Sequence, residues 1–333
     1  MREHPTPAEL EAFVEGSLPL GSIRTIARHL LRGCTSCNAV LAPHYLSLLP
    51  SPDESSPNGL VVYNEMLDRV FSSFRSYQRY LRREESRQRM VSALLESGGG
   101  WEVVVNQSDI PLRGLGLLKA LLDRSWAVRH ECPEETVGLA RLAVEVARKL
   151  DSRWHNEKDA SDWQARAWGE LGNALRAKDD LVDAERAFGI AFDFFIRGTG
   201  SLRLKARLYD YHASYLGTRR QFNLAFVALD ISYATYMELS DQHLAGRSLL
   251  TKAIYTYYND QPKEAIEINR AGMALIDHGQ DPDLCFFAIH NELLFLVDLG
   301  RCQEARMVLF NHQTEFHSLG RVNRLKVRWL QAR

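Results

Sequence analysis

The stretch Ala165–Gly198, ARAWGELGNALRAKDDLVDAERAFGIAFDFFIRG, decides the fold. Its first half carries Trp168, Leu171, Gly172 and Leu175 at helical spacing, and its second half carries Ala184, Phe188 and Ala191. Lys178, Asp179 and Asp180 form the polar break between them. Each half is too short and too one-sided to stand alone, so each must bury its apolar stripe on the other, and the pair on a neighbour. That is the logic of a helix-turn-helix repeat solenoid. Gly172 marks the crossing where paired helices approach closely, with large aromatic rings filling the gaps around it. The aromatic series Phe188, Phe192, Phe195, Tyr209, Tyr211 and Tyr215 therefore reads as core.

Degenerate copies of the pattern flank this unit. One starts near 121, with Val128, then Ala140, Val144 and Ala147. One starts near 206, with Tyr209, Ala213 and Leu216, then Ala225, Leu229 and Ser232. One starts near 246, with Leu249, Ala253 and Thr256, then Ala265 and Asn269; the last starts near 286, with Ile289, Leu293 and Leu296, then Ala305 and Leu309. The starts are 44, 41, 40 and 40 residues apart. The residues quoted for the central unit resemble the tetratricopeptide repeat (TPR) family, whose unit is about 34 residues. The resemblance implies an all-α fold, a TPR-like right-handed α-solenoid of about five repeats over 121–333, and binding of proteins or peptides. The added residues lengthen a second helix or a connection, as around Arg197–Gly200 and Gly279–Pro282.

The chain has 333 residues, 45% of them hydrophobic, which is ample for a large core and for more than one domain. Its 41 basic and 42 acidic residues balance, so net charge gives no argument for nucleic acid or membrane. Five scattered cysteines, Cys34, Cys37, Cys132, Cys285 and Cys302, argue against a disulfide scaffold and for a reducing compartment. No signal core and no membrane-length apolar run is present, so a cytoplasmic location is expected.

Residues 1–49 read as a small helical module. Thr6, Pro7 and Glu9 form a helix start, with Leu10 and Phe13 on its apolar side. A second helix carries Ile23, Ile26, Ala27 and Leu30 inward, and Gly33 ends it. His29, Cys34 and Cys37 then cluster around a helix end, and a cysteine pair two residues apart wraps one tetrahedral ion. A structural zinc needs a fourth ligand, for which His4 is better placed than its rival His44. This pattern looks like the zinc-binding anti-sigma module, in which an upstream ligand joins a helical histidine and a cysteine pair. The resemblance implies zinc and a regulatory partner such as a sigma factor. Four residues separate His29 from Cys34, one more than is usual in that family. An added residue rotates a continuing helix by about 100°. The alternative is a helical cap with two free cysteines.

Pro50–Gly59 is a linker by composition. Residues 60–120 form a long helix, about Tyr63 to Leu95, and a transition segment. Met66, Val70, Phe74, Tyr77 and Leu81 make its stripe. Arg82, Arg83, Arg87 and Arg89, mixed with Glu84 and Glu85, read as a solvated face. Ser97–Gly100 is expected to end that helix, Trp101–Val105 to be a packed loop, and Pro111 to open the next helical region. The glycine triplet is no phosphate loop, because no lysine follows it.

First helices of such repeats line the concave side. The groove positions are Arg129, Arg166, Asn173, Arg176, Arg207, Asp210, Ser214 and Arg247. Guanidinium groups in a row receive a carboxylate-rich segment or a peptide C-terminus. Asn173 matches the asparagine that holds a peptide backbone in the family, whereas Gly169 replaces the usual lysine of the carboxylate clamp. Leu250, Ile254, Tyr257 and Tyr258 extend the groove toward an apolar surface suited to a helix. Solvated, salt-bridged arginines are the competing reading.

His130 and Cys132 lack an orienting third group, and His155, His212, His243, His290, His312 and His317 are scattered, so no enzyme is expected. The first 50 residues contain no basic recognition helix, so no nucleic-acid partner is expected either. The chain reads as a non-enzymatic adaptor or regulator in bacterial signalling or transcription control. An anti-sigma-like regulator and a peptide-binding sensor are the alternatives.

Overall fold

The computed structural model describes residues 4–14, 18, 20–31, 34–46, 59–106, 113–129, 131–277, 279–312, 325, 328–329 and 332. Fifteen α-helices and one π-helical turn account for the described secondary structure, and no strand occurs among these residues. The chain divides into two compact units, Met1–Ser76 and Tyr77–Arg333.

The first unit holds α1 (Pro7–Val14), α2 (Leu20–Leu31), α3 (Thr35–Leu46) and the opening turns of α4 (Gly59–Leu94). The start of α1 is a capping box. Thr6 Oγ1 accepts from the Glu9 amide at 3.3 Å, and the Glu9 carboxylate accepts from the Thr6 amide at 2.8 Å. Among the described residues Leu10, Ile26, Cys37 and Leu41 are buried together. Gly33 and residues 50–58 of the linker lie outside the described residues, and Gly59, expected in the linker, opens α4.

In the second unit α4 does not stop at the glycines. It passes through a π-helical turn, Leu95–Gly99, into α5 (Gly100–Asn106), where a chain break and a loop are expected from composition. The reason is tertiary. Val104 is fully buried and Trp101 is half-buried, its ring so close to Gly138 that a Cβ there would lie 2.3 Å from Nε1. Packing of this kind outweighs the roughly 1 kcal/mol that a glycine costs a helix, and a π turn absorbs the extra residue without ending the helix. Pro111 lies outside the described residues.

Five helix pairs follow: α6 (Leu115–Val128) with α7 (Pro133–Arg148), α8 (Glu157–Ala177) with α9 (Leu181–Arg197), α10 (Leu202–Thr218) with α11 (Phe222–Glu238), α12 (Gln242–Tyr258) with α13 (Pro262–Met273), and α14 (Pro282–Asp298) with α15 (Cys302–Asn311). Each first helix also packs on the next first helix, α6 on α8, α8 on α10, α10 on α12 and α12 on α14. No two second helices pack on each other to that extent. The first helices are therefore the crowded inner row of a TPR-like solenoid, and they present its concave side.

Three-residue turns join most of the helices. Asp179, Arg220, Asp260 and Gly300 stand at the middle of four of them, at φ 67°, 57°, 62° and 70°. They recur at intervals of 41, 40 and 40 residues. In each, the next amide closes on a carbonyl five residues back, as Asp180 N to Leu175 O at 2.9 Å and Gln221 N to Leu216 O at 2.9 Å. This is a Schellman closure, and it requires the left-handed residue. Caps then restart the helices: Asp180, Asp241 and Asp281 accept from Asp183, Leu244 and Leu284 amides.

Small residues set the crossings. A Cβ on Gly172 would meet the Phe188 ring at 3.0 Å, and Phe188 is fully buried. At the α12–α13 crossing two glycines face each other. A Cβ on Gly246 would lie 2.8 Å from the Gly272 carbonyl oxygen. Of the aromatic series, Phe188, Tyr211 and Tyr215 are buried, while Phe192, Phe195 and Tyr209 pack partly buried against the core.

The α4 basic patch has two faces. Arg82, Arg83, Glu85 and Arg89 are exposed, as a solvated face requires. Glu84 is instead 5% exposed, takes the Arg87 guanidinium, and accepts from the Gly116 amide at 2.8 Å. It thereby caps α6, whose own N-cap residue is Gly114 with no side chain to offer.

Candidate partner-binding face and metal centre

The inner helices meet in a network of polar and aromatic side chains. From α6, Trp126 stacks on Tyr211 of α10, with ring centroids 5.6 Å apart. Arg129 lies 3.7 Å and Arg247 4.7 Å from the Trp126 ring centroid, so cations from the first and fourth pairs share one indole. Arg247 is paired with Asp210 of α10, which is buried. Arg166 of α8 lies 3.6 Å from Asp123 of α6, which also accepts from Gln88 at 3.1 Å.

Glu170 of α8 sits beneath this surface, fully enclosed. Ser125 donates to one of its oxygens at 3.1 Å and Tyr211 to the other at 2.9 Å. Burial raises its pKa, against the opposing pull of those hydrogen bonds. Burial also lowers Arg129 and Arg166; after burial, the neighbouring charge of Arg247 acts on the first and that of Arg207 on the second. Like charges are thus gathered on the concave side.

Arg129, just after α6, and Arg247 of α12 come together over Trp126, while Arg166 of α8 and Arg207 of α10 lie close enough for one charge to act on the other. The structure engages the other groove positions differently. Asn173 is buried, and its Oδ1 accepts from Arg176 at 3.1 and 3.2 Å. Tyr257 bonds to Asp298 and stacks on Phe295 at 4.8 Å, whereas Tyr258 is 53% exposed. Spacing arguments pass over Trp126, Asp123 and Glu170. The signal that finds two of the acids is pairing offset: Asp210 stands 37 residues before Arg247, and Glu170 stands 37 before Arg207.

Two of the scattered histidines serve packing. His155 is buried, and it shares a 2.8 Å hydrogen bond with Tyr80, on which Trp154 stacks. His212 lies among Phe188, Phe192 and Tyr215. His130 and His317 lie outside the described residues.

The first unit contains a second candidate site. Ligand atoms of His4, His29, Cys34 and Cys37 lie within 4.8 Å of one another. His29 Nε2 is 3.2 Å from Cys37 Sγ, and His4 Nδ1 is 3.3 Å from Cys34 Sγ and 3.6 Å from Cys37 Sγ. A tetrahedral ion with bonds of about 2.0–2.3 Å separates its ligand atoms by roughly 3.3–3.8 Å, so the four groups fit one metal ion. They converge despite the longer His29–Cys34 spacing. His4 takes part; His44 belongs to α3, but its side chain lies outside the described residues. Cys34 precedes α3, and the Cys37 amide draws its thiol pKa down.

Paired helices with a crowded inner row define a TPR-like helical-repeat protein. No family model matches the chain, and no curated protein matches it. Among solved structures it is similar to BtubC (BKLC) from P. vanneervenii, at 16% identity over 75% of this chain and 90% of that one, with a TM-score of 0.48. It is also similar to a Podosopora anserina protein of kinesin-light-chain type with nearly identical TPR-like repeats, at 16% identity over 60% of this chain and 93% of that one, with a TM-score of 0.43. No described helix is long and apolar enough to cross a membrane.

Proposed function

We propose that this chain is a non-enzymatic interaction adaptor whose concave face holds a segment of a partner protein, in bacterial signalling or transcription control. One observation supports the reading: the inner row gathers arginines from successive pairs around Tyr211, Arg129 with Arg247 over Trp126 and Arg166 beside Arg207. Guanidinium groups at such a surface bind carboxylate and carbonyl groups with defined geometry. Arg176, Asn173, Tyr257 and exposed Tyr258 extend it along the groove. The N-terminal module carries one structural zinc on His4, His29, Cys34 and Cys37 and offers a second docking surface.

Affinity capture with the full chain tests this. Partner proteins recovered by the wild-type chain should be lost on charge reversal at Arg166 and Arg207. Equal recovery by the reversed variant sinks the reading.

An anti-sigma-like regulator is the second reading, supported by the convergence of the four ligand side chains. It expects a sigma factor among captured proteins, and expects that protein to be lost in Cys34→Ser but kept on arginine reversal. The opposite pattern favours the adaptor.

A further inference from the structure

Arg207 is the cation that the concave network leaves over. Its counterpart in the next pair is Arg247, 40 residues on, which is neutralised by Asp210, 37 residues before it. The same offset from Arg207 leads to Glu170. Glu170 feels the Arg207 charge, but no hydrogen bond or ion pair joins them; its two oxygens accept from Ser125 and Tyr211 instead. Among the described residues Arg207 has no hydrogen-bond or ion-pair partner, and its side chain is half-buried. Its neighbour is Arg166 on α8: Arg166 stands one turn before Glu170 and Arg207 one turn before Tyr211, and the 2.9 Å Tyr211–Glu170 hydrogen bond sets those turns side by side. Arg166 lies 3.6 Å from Asp123, which is 56% exposed, and also feels the enclosed Glu170. After burial, the charge of Arg207 is the next largest influence depressing the Arg166 pKa.

Two guanidinium groups crowded in a cleft repel each other and are stabilised by a shared anion. Each fork offers parallel N–H donors, and an oxyanion with two or three oxygens bridges two forks. We propose that Arg207 and Arg166 form an oxyanion subsite on the concave face, taking a phosphate or carboxylate group carried by the bound protein segment. The proposal rests on the adaptor reading and assigns the chemistry of its occupant. Arg247 and Arg129 are not part of the subsite. The first is spent on Asp210 and both are spread over Trp126.

The test uses the full chain. Inorganic phosphate, titrated at constant ionic strength, should raise the melting temperature saturably, because a ligand that binds only the folded state stabilises it. Arg207→Gln should weaken this response about tenfold, as expected for one lost charge-assisted contact pair. Arg203→Gln, on the same helix but paired with Asp241, should leave it unchanged. Arg207→Lys keeps the charge without the fork and should fall between; circular dichroism verifies that each variant is folded. Three labelled peptides of one sequence, bearing glutamate, phosphoserine or alanine at one position, separate the sources. Tighter binding of the phosphoserine peptide assigns phosphate, and equal binding of the first two with loss of the third assigns carboxylate. Identical titrations for wild type, Arg207→Gln and Arg166→Gln overturn the subsite, even where protein partners are still captured. A normal phosphate response with no protein captured overturns the adaptor reading alone.

Discussion

Glu84 shows how much one side chain does when it leaves the class to which its neighbours belong. It sits in a run of charged residues, yet its carboxylate is buried between the Arg87 guanidinium and the Gly116 amide. It supplies an α-helix with the acceptor that Gly114 lacks, at the positive end of that helix. Glu84→Ala removes one charge-assisted bond and strands a half-buried arginine, so it should cost about 2–3 kcal/mol. Urea unfolding measures that loss, and Glu85→Ala, one residue on and exposed, should cost less than about 0.5 kcal/mol. Equal effects from both would remove the capping role. His155 gives a pH signature at the same scale. Burial lowers its pKa below the ordinary value, so the folded state holds the neutral ring against Tyr80. For a depressed histidine, stability is fully present above the unfolded pKa of about 6.5 and is lost as pH falls toward the folded value. The melting temperature should therefore drop between about pH 7 and pH 5, and His155→Gln should flatten that slope. An unchanged slope would mean that the ring charges without penalty.

At the scale of the element, what the sequence discloses depends on where the restraint comes from. Gly172, Ala213 and Ala253 stand at helix crossings that tolerate only small side chains, and such positions recur with the repeat. Pairing of helices was legible for that reason, and so were the Lys178–Asp180 turn and the Thr6–Glu9 box. Restraints imposed by distant contacts left no local trace. The helix through Ser97–Gly100 persists because Trp101 and Val104 pack on the repeat unit, and no window of neighbouring residues encodes that packing. Of the candidate binding face, the arginines could be read as a row on the first helices. Their unequal satisfaction could not, because it depends on Ser125 and Tyr211 claiming Glu170 from two other helices. The Gly246–Gly272 crossing gives the element-scale prediction. Gly246→Ala forces a methyl group within 2.8 Å of a carbonyl oxygen, so the helices must move apart. Overpacking costs about 1–3 kcal/mol, while better helix propensity returns up to about 1 kcal/mol. The net should be a loss of about 1–2 kcal/mol, whereas Gly189→Ala, with open space around it, should be neutral or stabilising. A stabilised Gly246→Ala variant would show that the close crossing is not required.

At the scale of the whole molecule, two units of very different size carry separate cores. The repeat unit spreads its core over ten paired helices, and each pair is held by its neighbours. Among the described residues of the N-terminal unit Leu10, Ile26, Cys37 and Leu41 are buried together, and one of these is itself a candidate ligand side chain. Four such side chains alone do not offset the entropy of ordering three helices, and a structural metal is a common remedy in small modules. His4 lies before α1, His29 on α2, and Cys34 and Cys37 at the start of α3, so one ion held by these four groups would tie all three helices together. The purified chain should therefore contain about one equivalent of zinc, since a two-histidine, two-cysteine tetrahedral set suits that ion. Removing it with a chelator should abolish protection from hydrogen exchange in α1–α3 while protection in α8–α12 persists. Cys37→Ser should reproduce the first effect without chelator, because binding free energy at such a site is folding free energy. Protection of α1–α3 that survives both chelation and Cys37→Ser would show that the small core stands without metal. Loss of protection throughout the repeats would show that the two units are not independent in stability.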